Sequence, residues 1–138
     1  MASVPSSLNS VSILFKDGVI NDIEQKLVDA LKQIIKPGVI PYQYFVSSIV
    51  VSSLHDSHEN VPNSRHNQKK AIDISKINGK SISNYNSDPE IKSLVQRIQT
   101  EFENISGHRE NFGPFKKLKL GAPYSVSGHH DHIHLSIN

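Results

Sequence analysis

His132-Ile133-His134-Leu135-Ser136-Ile137, just before the C-terminal Asn138, alternates polar and aliphatic residues without a break. A period of two is that of a β-strand, so His132, His134 and Ser136 share one face and Ile133, Leu135 and Ile137 the other. A shorter copy of the pattern stands in Ala71-Ile72-Asp73-Ile74, where Asp73 faces away from Ile72 and Ile74 and toward a cleft. In antiparallel neighbours these two segments turn Asp73 and His134 into one cleft, while His66 reaches in from the loop just before the first of them.

The rest of the chain supplies what such a sheet needs behind it. Ile23, Leu27, Ala30, Leu31, Ile34 and Ile35 recur at helical spacing after a capping-box-like Asn21 and Glu24, and Pro37-Gly38 stops that helix. Ser87-Asp88-Pro89-Glu90 starts a second helix whose buried stripe is Ile91, Leu94, Val95, Ile98, Phe102 and Ile105, closed by Gly107. The β-branched run from Phe45 to Leu54 predicts a buried strand feeding a polar loop, His55 to Asn67. Asn78-Gly79 is a turn signal, and the segment from Phe112 to Tyr124 predicts a twisted strand and a loop. Residues 1–10, rich in serine and proline, read as a flexible arm or a short lead-in strand. Two helices, about four to five strands and no βαβ rhythm predict an α+β fold, a small antiparallel sheet with both helices packed on it.

At 138 residues the chain is expected to form a single domain, 1–138, that buries its own core and acts as a monomer. The absence of cysteine removes disulfides, thiolate metal sites and cysteine nucleophiles, and leaves histidine as the strong metal-ligand type. A net charge of +2 falls short of a nucleic-acid binder's basic stripe, and no apolar run is long enough to cross a bilayer. The N-terminus lacks a basic n-region, so no secretory signal is expected.

Two imidazoles and a carboxylate, His66, Asp73 and His134, suit zinc, and three protein ligands leave a fourth position for water. Bland readings compete at each place. His66 with Asp73 seven residues later is also what a surface ion pair looks like. A terminal histidine run is also what a purification tag looks like, although tags are uninterrupted and this run has strand alternation built into it. Arg65 is either a contact for an acidic substrate group or a solvated loop charge. His58 and His108 are read as surface residues, and Lys116, Lys117 and Lys119 as a solvated strand edge.

Ser64-Arg65-His66, Ala71-Ile72-Asp73 and Asp131-His132-Ile133-His134 resemble the LAS group of zinc peptidases, which comprises lysostaphin-type enzymes, D-alanyl-D-alanine peptidases and the zinc domain of hedgehog proteins. The nearest likeness is to small phage endolysins that cut the L-alanyl-D-glutamate bond of peptidoglycan, with their Ser-x-His-x-x-Gly-x-Ala-x-Asp motif and terminal Asp-x-x-His. Over the two motif regions, 64–80 and 129–137, the resemblance implies that His66, Asp73 and His134 bind Zn2+ and that Asp131 is the general base. It implies a peptidoglycan stem peptide as substrate. Without a signal peptide, the protein would then be made in a host cytoplasm and reach the wall by a separate route or on a virion. Asp131 has a second reading, as a turn residue or as the orienting partner of a histidine. His132, already on the face of His134, is the other candidate for base or transition-state stabiliser.

Three departures stand out. The glycine of the motif is Lys69 here. His55 stands where related enzymes carry an arginine for a substrate carboxylate, so it is the candidate for that contact. His129 and His130 have no counterpart and are read as cleft-rim residues. Two further readings remain in play. One is a zinc-binding virion module without hydrolytic activity. The other is a two-histidine phosphoesterase, suggested by His134-Leu135-Ser136-Ile137 but lacking the required second copy.

Overall fold

The computed structural model describes residues 2–39, 42–55 and 64–138. The chain starts with strands β1 (Ser7–Leu8) and β2 (Val11–Phe15), then helix α1 (Gln25–Ile34) and strand β3 (Ser48–Ser53). A second hairpin, β4 (Ala71–Ile77) and β5 (Lys80–Ser81), leads through a 3-10 turn (Ile82–Asn86) into helix α2 (Pro89–Phe102). Strands β6 (His108–Phe112), β7 (Lys117–Lys119), β8 (Ala122–Pro123) and β9 (Ile133–Ile137) follow. They form one sheet in the order β1-β2-β3-β4-β9-β6-β7-β8, with β5 paired to β4 off this path.

The α+β class and the two helices match expectation; the strand count does not. Nine strands form among the described residues rather than four to five: β1, β5 and β8 are two residues long and too short to show any period, and the five-residue β2 after its serine-rich lead-in is a further strand that the sequence pattern does not announce. The sheet is also not wholly antiparallel. β2 and β3 pair in parallel, Ser12 opposite Ser48 and Phe15 opposite Val51, and α1 lies between them in the chain, so one βαβ crossover is present.

Local chemistry explains most element ends. Asp88 caps α2, its carboxylate accepting the N–H groups of Glu90 and Ile91, with Pro89 in the first turn where no N–H is missed. Asn78 and Gly79 turn β4 into β5 with φ of 55° and 77°, the pair of positive values that a two-residue hairpin of this hand requires. Asn21 is not the cap of α1. Its amide instead clamps Val4, accepting the N–H and donating to the carbonyl, both at 2.7 Å. Val4 and Leu8 are buried, and β1 pairs with β2.

Both helices lay their apolar stripes on one face of the sheet. Leu27, Leu31 and Ile34 of α1 and Ile91, Leu94, Ile98 and Phe102 of α2 join Ile72, Ile74, Ile133, Leu135 and Ile137 in one core. Each such side chain contributes roughly 1.5–3 kcal/mol on burial. One-sided cover also explains β3, expected as a buried strand: Ile49, Val51 and Ser53 are buried while Ser48, Val50 and Ser52 are half-buried. The opposite face, free to carry polar groups, holds Asp73 and His134.

Candidate metal centre

Strand register brings the ligand candidates together. In the β4–β9 ladder Asp73 lies directly opposite His134, and in the β6–β9 ladder Phe112 lies opposite His134 on its other side. Directly opposed residues on one face have their Cβ atoms only about 5 Å apart, so this pairing alone forces the two side chains into contact. His66 arrives from the turns before β4. The Ser64 hydroxyl accepts the His66 N–H at 3.2 Å, and the N–H of Lys69 and Lys70 close back onto the carbonyls of His66 and Arg65 at 3.0 and 2.9 Å.

Lys69, in the motif's glycine position, has φ of +63°, the left-handed backbone that glycine takes without steric cost. The lysine is held there from both ends. Its Nζ meets Asp22 Oδ2 at 2.9 Å, and its carbonyl accepts the Glu24 N–H at 2.9 Å.

The three inner atoms form a small triangle. His66 Nε2 lies 3.2 Å from His134 Nδ1 and 3.2 Å from Asp73 Oδ1, and His134 Nδ1 lies 2.9 Å from Asp73 Oδ1. Ligands about 2.0–2.1 Å from a tetrahedral zinc are separated by roughly 3.3 Å, so the triangle needs to open by only a few tenths of an ångström. No other group of histidines and carboxylates among the described residues is gathered in this way.

The outer atoms of both rings are committed as well. His66 Nδ1 donates to the Leu54 carbonyl at 2.8 Å, and His134 Nε2 meets Glu110 Oε1 at 2.9 Å. These acceptors leave the inner nitrogen of each neutral ring as a lone pair, as a metal ligand must be. Two nitrogens and one carboxylate oxygen, His66 and His134 only 3% and 8% exposed, fit a divalent ion such as zinc.

In the metal-free centre a protonated His134, flanked by two carboxylates, holds the inner atoms together in place of a metal. Burial works against the Asp73 carboxylate ion, but hydrogen bonds and charge from His134 and His66 hold its pKa well below the usual carboxylate range. Burial likewise disfavours the His134 imidazolium; Asp73 and Glu110 outweigh it and raise the pKa to about 9. Glu110, whose burial acts upward, is brought down to about 2 chiefly by His134.

A cleft of about 470 Å³ opens over the triad, walled by Ser64, Arg65, Phe112, Val126, His129 and His132. The Phe112 ring stacks on His134 at 5.5 Å, and Tyr124 stacks beyond it at 5.6 Å. A second trough of about 320 Å³ shares Asp73 and His132 with the cleft and continues past Lys16, Ser52, Ser75 and Asp131. A larger cavity of about 640 Å³, lined by Lys32, Lys36, Tyr42, Arg97 and Glu101 among others, contains no histidine.

Asp131 and His132, weighed as rival bases, are hydrogen-bonded to each other, Asp131 Oδ1 to His132 Nδ1 at 2.8 Å. The strand begins only at Ile133, so the preceding bend frees both from strict alternation. His132 lines cleft and trough alike; the more exposed Asp131 lines the trough. That hydrogen bond, with the charge of His132, keeps the Asp131 pKa below its ordinary value.

Arg65 reaches the cleft wall, hydrogen-bonded to Gln68. His55 does not line the cleft; its Nδ1 sits 4.0 Å from Asp22 Oδ2. His129 packs edge-on to Phe112 with its ring 4.7 Å from that of His132, a cleft-wall position, while His130 is exposed. His108, expected at the surface, is half-buried, its Nδ1 donating to the Ile105 carbonyl at 2.7 Å. His58 lies outside the described residues. Lys116 and Lys119 lie over the rings of Phe115 and Tyr124 at the sheet edge.

Glu110 and Phe112 are the site residues that sequence reasoning missed. His108-Arg109-Glu110-Asn111-Phe112 looks like a solvated run, and only the spacing of Glu110 and Phe112, two apart on a common strand face, hints otherwise. Compared with known proteins, the chain matches no family model, no curated protein and no solved structure.

Proposed function

We propose that this protein is a zinc-dependent peptidase that hydrolyses an amide bond in the peptide part of bacterial peptidoglycan, as a phage endolysin or a virion-associated wall hydrolase. The observation that carries the hydrolytic reading is the His66–Asp73–His134 triangle, with edges of 2.9–3.2 Å, beside a hydrogen-bonded Asp131–His132 pair. The choice of a wall peptide, of the L-alanyl-D-glutamate or D,D type, rests on the motif resemblance over 64–80 and 129–137.

His66 Nε2, Asp73 Oδ1 and His134 Nδ1 would hold the zinc ion, which when bound acidifies water toward a pKa of about 7 and polarises an amide carbonyl. The chain's own part is proton handling and placement. Asp131 fixes the Nδ1–H of His132, which leaves Nε2 as the ring's basic atom, able to take a proton and return it to the leaving amine. Arg65 in the cleft wall offers a cation to an acidic group of the stem peptide.

The test is digestion of purified peptidoglycan by zinc-loaded protein, followed by new amino groups and the masses of the released fragments. One defined class of new amino terminus is expected, absent after chelation and restored by zinc. Fully zinc-loaded protein that releases no amino groups from several wall chemotypes would sink the peptidase reading and leave the zinc-binding virion module in its place.

A further inference from the structure

We infer that Glu110 is a positioning residue for the metal centre: from β6 it fixes the ring orientation and tautomer of His134, so that Nδ1 is the atom offered to the metal. This rests on the metal-binding reading above but assigns a residue that the ligand motif does not contain.

Histidine can bind a metal through either ring nitrogen, and the hydrogen bond at the other nitrogen decides which. At His134 the two sides differ. Nδ1 faces Asp73 Oδ1 and His66 Nε2, whereas Nε2 faces Glu110 Oε1 at 2.9 Å. Without metal both nitrogens face carboxylates and the ring holds a proton on each; when a metal takes the place of the Nδ1 proton between Asp73 and His66, Glu110, which only accepts, keeps the remaining proton on Nε2. Glu110 is itself held. The Ser136 hydroxyl donates to Oε1 at 2.9 Å, and the Glu110 N–H donates to that same hydroxyl at 3.0 Å.

The strand beneath is fixed too. Neighbouring Asn111, fully buried, donates from Nδ2 to the Gln99 carbonyl at 2.7 Å and to Glu103 Oε2 at 2.9 Å, tying β6 to α2. On the other side Phe112 stacks on the His134 ring with 17° between the planes. β6 thus grips His134 by edge and by face. Partners of this kind are worth about 10–100-fold in metal affinity.

The experiment measures zinc affinity by chelator competition, together with long-range 1H–15N spectra of the zinc-loaded protein, which report which His134 nitrogen carries hydrogen. In wild-type protein Nε2 is expected to be protonated, with its proton protected from exchange. Glu110→Ala should weaken zinc binding about 10–100-fold and lose that protection. Glu110→Gln, nearly isosteric and still able to accept through its amide oxygen, should fall between, and it carries the test if the alanine variant does not fold. Zinc affinity within twofold of wild type with the Nε2 proton equally protected, in Glu110→Ala or, where that variant does not fold, in Glu110→Gln, overturns the inference while leaving the metal reading intact. Failure of wild-type protein to bind zinc overturns both.

Discussion

The ligand triad and the Asp131–His132 pair are neighbours held in opposite ways. Asp73 and His134 stand on the interior strands β4 and β9, and His66 is buried, with every ring nitrogen of the two histidines engaged. The pair precedes β9 on a bend, with Asp131 exposed and no strand ladder beneath it. Two of the three close-set positions stand on the sheet and the third is buried against it, while the pair to which the proposed hydrolysis assigns proton transfer stands on a segment that water can reach. Metal binding and hydrolysis should therefore be separable by mutation.

The largest effect expected is at the triad. On the proposed reading His134→Ala removes one of three zinc ligands, and it should all but abolish both zinc binding and peptidoglycan hydrolysis, measured by metal content after dialysis and by amino-group release. A variant that keeps a full zinc complement would break the comparison at its root, since His134 would then not be a ligand.

The second effect falls on the pair alone. Asp131→Asn and His132→Gln should each lower kcat about 10²–10⁴-fold with zinc content unchanged. Because the two side chains share one hydrogen bond, the double variant should lose little more than the worse single one. Multiplying losses would mean that Asp131 and His132 act independently.

The sequence makes one half of this contrast far more legible than the other half of its surroundings. Alternation in Ala71–Ile74 and His132–Ile137 places Asp73 and His134 on one face, and Asp88-Pro89 and Asn78-Gly79 announce their helix and turn by side-chain chemistry alone. Glu110 could not be read in the same way, because its value depends on β6 pairing with β9 across an irregular register between His108 and Asn111. Asp131 as the orienting partner of a histidine is open from the sequence, but its choice of the adjacent His132 is not, since a period-two pattern puts adjacent residues on opposite faces and only the bend before β9 cancels that. The parallel β2–β3 pair was hidden because β2 follows a serine-rich lead-in and contributes only five residues.

Protons test the triad more gently. In protein stripped of metal, the folded-state pKa of His134, about 9, lies above its ordinary 6.5, so its ion pairs stabilise the fold fully below pH 6.5 and are lost as pH rises through 9. Glu110, about 2 against 4.5, contributes above pH 4.5 and loses its contribution as pH falls toward 2. Thermal unfolding of the chelated protein should therefore show greatest stability between these limits. Zinc must displace the His134 proton, so its apparent affinity should rise about tenfold per pH unit from 6.5 toward 9. A flat affinity profile would show that the proton does not compete at this ring.

Behind the triad, Gln99 ties α2 to the turn after β6. Its amide donates to Asn111 Oδ1 and the Lys116 carbonyl and accepts the N–H groups of Phe115 and Lys116. Gln99→Leu strands those groups and should cost about 2–4 kcal/mol in urea unfolding, while zinc affinity, set by the triad itself, changes far less. Equal losses in both would show that the brace reaches the metal through β6.

Lys69 gives the smallest and most discriminating effect. Replacing it by glycine removes the steric cost of φ +63°, worth up to about 1 kcal/mol, and also removes a partly exposed Lys69–Asp22 ion pair worth about the same or less. The two nearly cancel, so Lys69→Gly should shift unfolding by less than about 1 kcal/mol and leave zinc affinity within about twofold. The loop before β4 would then owe its shape to backbone conformation and to the closures onto His66 and Arg65. A large fall in zinc affinity would instead make the Asp22 contact the anchor of His66, and one member of the triad would prove to be held as loosely as the Asp131–His132 pair.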